Sequence, residues 1–186
     1  MSETVAFSAA TKQRIEELVG RYPRAQAALI PTLYLAQDEF GYLKPEVMSL
    51  VARTLDLPLA TVLSTAMFYT MLRKKPVGRF HLQICTNVSC YLRGSDELMA
   101  AAKAALGIHG GETTPDGLFT LDEVQCLCDC GAAPALQVNR DDFRNMTADS
   151  LRNLIADLRA KGSRTTLEQK AAAPLAKTPD NGASHA

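Results

Sequence analysis

Four cysteines fall into two tight pairs, and this is the clearest chemical signal in the sequence. Cys85 and Cys90 end a C-x4-C segment, CTNVSC; 35 residues later Cys126 and Cys130 end a C-x3-C segment, CLCDC. Thiolates are soft, anionic donors, and four of them at one point suit an iron–sulfur core or a structural zinc ion. Each pair follows directly on a segment that reads as a strand. If those strands are neighbours in one sheet, both loops emerge at the same end and four thiolates converge from two short loops. That arrangement suits a diamond-shaped [2Fe–2S] core, and such loops carry backbone N–H groups able to hydrogen-bond its sulfurs. Spacing alone leaves zinc open, since zinc loops commonly read C-x2-4-C. A thioredoxin-type dithiol needs C-x-x-C, which is absent here.

The bulk properties frame that choice. The 186 residues allow one domain or two small ones. The composition, 47% hydrophobic and 22% charged, is that of an ordinary globular protein. Acidic and basic residues balance at 20 each, without the basic excess of a nucleic-acid binder. No apolar run reaches the roughly 18 residues of a membrane span. The start, MSETVAFSAATKQ, lacks the basic and apolar regions of a signal peptide, so a cytoplasmic location is expected. A reducing cytoplasm disfavours a disulfide framework and favours cofactor ligation for clustered cysteines.

Two kinds of periodicity divide the chain. Residues 1–77 read as a compact bundle of three or four helices. Thr11 to Tyr22 puts Ile15, Leu18 and Val19 on one helical face, and Pro23 breaks it. Arg24 to Phe40 is rich in Ala and Leu and stops at Gly41; Pro31 inside it demands a fresh start or a kink. Pro45 opens a third helix to Leu55 and Pro58 a fourth to about Met71. From residue 78 the pattern changes. Arg79 to Cys85, Leu118 to Cys126 and Ala135 to Asn139 read as strands, and Asp141-Asp142 as a turn into Phe143 to Met146. Gly94 to Leu106 reads as a helix capped by Ser95, and His109 to Gly117 as a loop. Thr147 caps a last helix whose Leu151, Leu154, Ile155 and Leu158 face a core. This predicts a small α/β sandwich with one helical layer over residues 78–161. Residues 162–186, rich in Ala, Pro, Thr and Lys without periodicity, read as a disordered tail.

The motifs resemble a known family. The blocks LYLAQDEFGYL (Leu33 to Leu43), MFYTM (Met67 to Met71), KPVG (Lys75 to Gly78), CTNVSCYLRG (Cys85 to Gly94), GETTPDG (Gly111 to Gly117) and the run from Glu123 to Asn139 carry the resemblance. It is to the E subunit of bacterial NADH:quinone oxidoreductase, respiratory complex I, and it covers roughly residues 11 to 160. It implies an α+β fold, an N-terminal helical bundle followed by a thioredoxin-like [2Fe–2S] ferredoxin domain. It implies one [2Fe–2S] cluster on Cys85, Cys90, Cys126 and Cys130, with no catalytic site on this chain. It implies as partners the flavin-bearing F subunit, which would bind FMN and NADH, and other peripheral-arm subunits, on the cytoplasmic face of the inner membrane. The same module in an NAD-linked formate dehydrogenase or hydrogenase is compatible with it. One departure stands out: the family usually reads C-L-G-x-C in the second loop, whereas here Cys128 fills the small position and Asp129 follows. Cys128 is expected to be a small neighbour of the site, and Asp129 to lower the midpoint potential, since a carboxylate disfavours a core that grows more negative on reduction.

Other residues invite blander readings. His81 reads as a strand side chain and His109 as a loop residue; His185 lies in the tail. Gly110-Gly111 matches no phosphate-binding pattern, so no nucleotide site is expected. Asp38 and Glu39 point about 100° apart on a helix and read as a solvated face. Tyr34, Phe40, Phe68 and Tyr69 read as core or subunit interface, and Arg93 as a loop cap or a counter-charge to the cluster.

Overall fold

A computed structural model describes residues 5–163. The chain divides into two compact units at Val77/Gly78.

The first unit is helical. Ser8 caps α1 (Ala9–Val19), its side-chain oxygen accepting from the Thr11 N–H. The Ser8 N–H in turn donates to Glu39 at 2.8 Å, tying the start of α1 to the end of α2 (Leu29–Phe40). A turn of 3-10 helix over Ala25–Ala28 precedes α2. Pro31 thus falls in the first turn of a new helix, where its missing N–H breaks no intrahelical bond. Pro45 begins α3 (Pro45–Leu55), which stops at Asp56 in the left-handed region (φ 51°). Pro58 caps α4 (Leu59–Phe68), a turn shorter than the sequence suggests. The residues beyond it are held by Gln37, buried at the end of α2. Its amide donates to the Met71 carbonyl and accepts from the Arg73 N–H. Leu33, Leu43, Val47, Val51, Val62 and Leu72 form the core. Tyr34 and Phe40 pack against it, while Phe68 stands 77% exposed with its ring edge-on to Tyr69. Asp38 and Glu39 are not part of that core; Glu39 is exposed, as a solvated face would be.

The second unit is a five-stranded sheet with two long helices. Its elements are β1 (Phe80–Cys85), α5 (Val88–Leu92), α6 (Ser95–Leu106), β2 (Glu112–Thr113), β3 (Phe119–Val124), β4 (Leu136–Val138), β5 (Asp141–Phe143) and α7 (Ala148–Ser163). The sheet order is β2-β3-β1-β4-β5. Only the central pair, β1 with β3, is parallel, in register from Phe80↔Phe119 to Cys85↔Val124. The crossover between them contains α6, as a parallel connection requires. Leu82, Ile84, Phe119, Leu121 and Leu136 pack in one core with Leu98 and Ala102 of α6 and Leu151 and Ile155 of α7. Both helices therefore cover one face of the sheet, the single helical layer expected. The other face is polar, with His81, Gln83 and Thr120 all buried; His81 Nε2 lies 2.5 Å from Asp122.

Several local expectations need correcting. Ser95 does not cap α6: Gly94 occupies the cap with φ 92°, and the buried Ser95 hydroxyl has no hydrogen-bond partner among the described residues. The loop from His109 contains β2, and the turn at Asp141-Asp142 is itself the edge strand β5. Helix α5 has no counterpart in the sequence reading. Helix α7 takes in Gly162 and Ser163, assigned to the tail. Arg79 donates to the Gly162 carbonyl, and Leu118 packs so closely on Gly162 that an added Cβ would lie 2.5 Å from it. The remainder of that expected tail, residues 164–186, lies outside the described residues.

Gly78 gives a test of this packing. A Cβ there would sit 2.8 Å and 2.9 Å from backbone atoms of Phe119, which cannot swing aside. Gly78→Ala is expected to cost about 1–3 kcal/mol, the usual range for overpacking, in urea unfolding. Unchanged stability would show that β1 enters the sheet by another path.

Candidate cluster site

The two cysteine loops leave the sheet at one end because their strands are parallel neighbours. Cys85 is the last residue of β1, and its N–H donates to the Ala135 carbonyl at 3.1 Å. The next residue, Thr86, donates from its N–H to the Val124 carbonyl at the end of β3. The chain then turns into α5, capped by the Asn87 side chain, which places Cys90 one helical turn further on. Arg93 closes this helix through its backbone N–H, to the Cys90 carbonyl. The second loop leaves β3 at Val124, passes Cys126 and Cys128, and enters a turn of 3-10 helix at Cys130.

The two pairs have different surroundings. Cys85 and Cys90 are 3% and 2% exposed, and pack with Ala133, Ala135, Val124 and Leu127 in a small apolar cluster. Burial pushes the Cys90 thiol up, opposed by a hydrogen bond with the Ala135 backbone and reinforced by the neighbouring Cys85. Cys126, Cys128 and Cys130 are exposed. The Cys128 N–H donates to the Cys126 sulfur at 3.2 Å, and the two sulfurs lie 3.8 Å apart. Cys128 holds a left-handed backbone (φ 58°), a conformation glycine adopts without strain. Its thiol is raised by the hydrogen bond to Cys126 and by the charge of the same group.

The five thiols share one neighbourhood. The charge on Cys130 bears on both Cys90 and Cys128, and that on Cys85 reaches Cys90 and Cys128. They are not drawn onto one point: among the described residues, no three His, Cys, Asp or Glu side chains are grouped closely enough to hold a metal ion. The donor set nevertheless fits an iron–sulfur core. It offers soft sulfurs from two loops, a dry wall of small residues on one side, and a backbone N–H already directed at a sulfur. His81, paired with Asp122 on the sheet, and His109, whose N–H donates to Glu112, take no part in the thiol group.

Sequence reasoning missed the group that anchors the second loop. Asp129, beside Cys130, forms an ion pair with Arg144, which follows β5. No local pattern signals this contact, because the partners are 15 residues apart.

Comparison with known proteins decides the family. A model of the thioredoxin-like [2Fe-2S] ferredoxin matches residues 15–159. The chain belongs to this family. Within the family its relatives include an NADH-quinone oxidoreductase E subunit, the one numbered 2, of Rhizobium meliloti (strain 1021), 44% identical over 88% of this chain and 97% of that protein. The NADH-quinone oxidoreductase E subunit of Mycobacterium bovis (strain ATCC BAA-935 / AF2122/97) is 40% identical over 78% of this chain and 58% of its own length. Similarity thus places this ferredoxin with the E subunits of an oxidoreductase complex. Its fold also resembles part of an NAD+-reducing [NiFe]-hydrogenase, with a TM-score of 0.61 at 24% identity over 72% of this chain and 23% of the other. Among the described residues, no helix of this family member is long and apolar enough to cross a membrane.

The difference between the two pairs is measurable. In metal-depleted, reduced protein at neutral pH, iodoacetamide should label Cys126, Cys128 and Cys130 well before Cys85 and Cys90. Raising the pH should leave Cys90 slow relative to the exposed three, because it is buried and that burial also raises its thiol. Mass spectrometry of the tryptic peptides reads the order; labelling of Cys90 as fast as Cys130 would contradict the buried first pair.

Proposed function

We propose that this chain holds one [2Fe–2S] cluster through Cys85, Cys90, Cys126 and Cys130. It works as an electron-transfer subunit of an NADH:quinone oxidoreductase. The observation that carries this reading is the parallel pairing of β1 and β3, which delivers both cysteine loops to one end of the sheet. When bound, such a cluster takes up and gives back one electron at a time.

The chain's own residues bind and shield. Cys85 is placed by the sheet and Cys90 by α5, so the first pair is a buried half-site with water excluded from one side. The second pair sits on an exposed loop that leaves the same end of the sheet. The Cys128 N–H is aimed at the Cys126 sulfur, where a hydrogen bond would offset thiolate charge. Cys128 itself is a small neighbour that contributes through its backbone, since four spaced thiols already complete a [2Fe–2S] site.

Hydride chemistry belongs to FMN and NADH on the partner, the flavin-bearing F subunit, from which this chain accepts single electrons. Support comes from the rim of the site. Val88, Tyr91 and Leu92 of α5 are 65%, 59% and 77% exposed on the helix that carries Cys90. An apolar rim beside the cysteines suits a protein partner seated over them. The complex would hold this chain peripherally on the cytoplasmic face of the inner membrane.

Anaerobic purification followed by absorbance and low-temperature EPR tests the reading. A brown chain, EPR-silent as isolated and giving one rhombic S = 1/2 signal after dithionite, is the expected result. A colourless chain carrying one zinc per molecule would replace electron transfer with a structural role.

A further inference from the structure

We infer that Arg144 is a positioning residue for the cluster site: it clamps the second cysteine loop and neutralises the carboxylate of Asp129 beside Cys130. The inference rests on the cluster reading above and concerns residues on which that reading does not depend.

Two sets of contacts place Arg144 in this role. The first is the ion pair of its guanidinium with Asp129. Proximity to Asp129 and to the charge of Asp142 holds the guanidinium firmly protonated. The second set is in the backbone. The Asn145 N–H donates to the Ala132 carbonyl at 2.8 Å, and the Met146 N–H to the Pro134 carbonyl at 3.1 Å. Residues 144–146 therefore run alongside 129–134, the segment that carries Cys130 into β4. In the loop from Cys126 to Asp129 the two cysteines are exposed and Leu127 and Asp129 partly buried, and its exit is held by this strap of residues after β5. Arg144 supplies the charged side-chain contact between strap and loop.

The electrostatic consequence follows from the sign of the charges. A carboxylate beside Cys130 disfavours electron uptake by an adjoining cluster. With Arg144 against it, Asp129 is one end of a neutral pair, and its pull on the potential is largely cancelled. The sequence alone suggests an uncompensated Asp129; the structure supplies its counter-charge. Because the Arg144 side chain is 62% exposed, the effect should weaken as salt rises.

The test uses the full chain with its cluster and reads the midpoint potential by EPR-monitored redox titration. Arg144→Gln strands the negative charge and should shift the potential down. Asp129→Asn strands the positive charge and should shift it up. The double variant should return close to the unsubstituted value, and Arg144→Lys should stay close to it. High salt should shrink the two single shifts. Loss of the clamp has its own readout: Arg144→Gln and the double variant should lose iron to a chelator faster than Arg144→Lys. Shifts of the two single variants in the same direction, or no shift in either, would overturn the inference while the cluster reading stands. An unsubstituted chain that takes up no iron and sulfide would overturn both.

Discussion

Everything at the cysteine site depends on one strand pairing. Parallel register between β1 and β3 fixes Cys85 opposite Val124, so the chain leaves both strands at the same edge. An antiparallel pairing would have sent the two cysteine loops to opposite ends of the sheet, a full strand length apart. Parallel pairing requires a long crossover, and α6 supplies it while covering the apolar face. The same helix thus permits the topology and builds the core. Antiparallel β4 then brings Ala135 back beside Cys85, which closes the dry side of the site.

The site is built asymmetrically. The first pair sits on a strand end and a short helix and is buried. The second sits on an exposed loop whose sulfurs are spaced by a left-handed residue at Cys128. A buried half and an exposed half give the four donors different surroundings, dry on one side and open to solvent on the other. The ion pair between Asp129 and Arg144 ties the exposed half to the residues that follow β5. It also balances the charge of Asp129 in a loop that departs from the family pattern at the adjacent Cys128.

Much of this was legible in the sequence because the relevant signals are local. Alternation at Phe80, Leu82 and Ile84 marks β1, and prolines at 45 and 58 mark helix starts, since both effects act within a few residues. The cysteine pairs were readable by spacing, and their placement after strands by pattern. What was not legible is long-range or carried by the backbone. Helix α5 is only five residues long and too short for periodicity to register. The strand β5 hides in Asp141-Asp142, whose side chains suggest a turn but whose backbone completes a ladder with β4. Gly94 displaced Ser95 as a cap because a left-handed residue was needed between α5 and α6. Arg144 and Asp129 meet only because the sheet brings β5 near the second loop.

The most direct test of the four-cysteine site is iron and acid-labile sulfide per chain in five single serine variants reconstituted in parallel. Four-cysteine ligation gives about two of each in Cys128→Ser, as in the unsubstituted chain, and loss or strong reduction in Cys85→Ser, Cys90→Ser, Cys126→Ser and Cys130→Ser. Full retention in any of those four, or loss in Cys128→Ser with the fold intact, would contradict the assignment of these ligands.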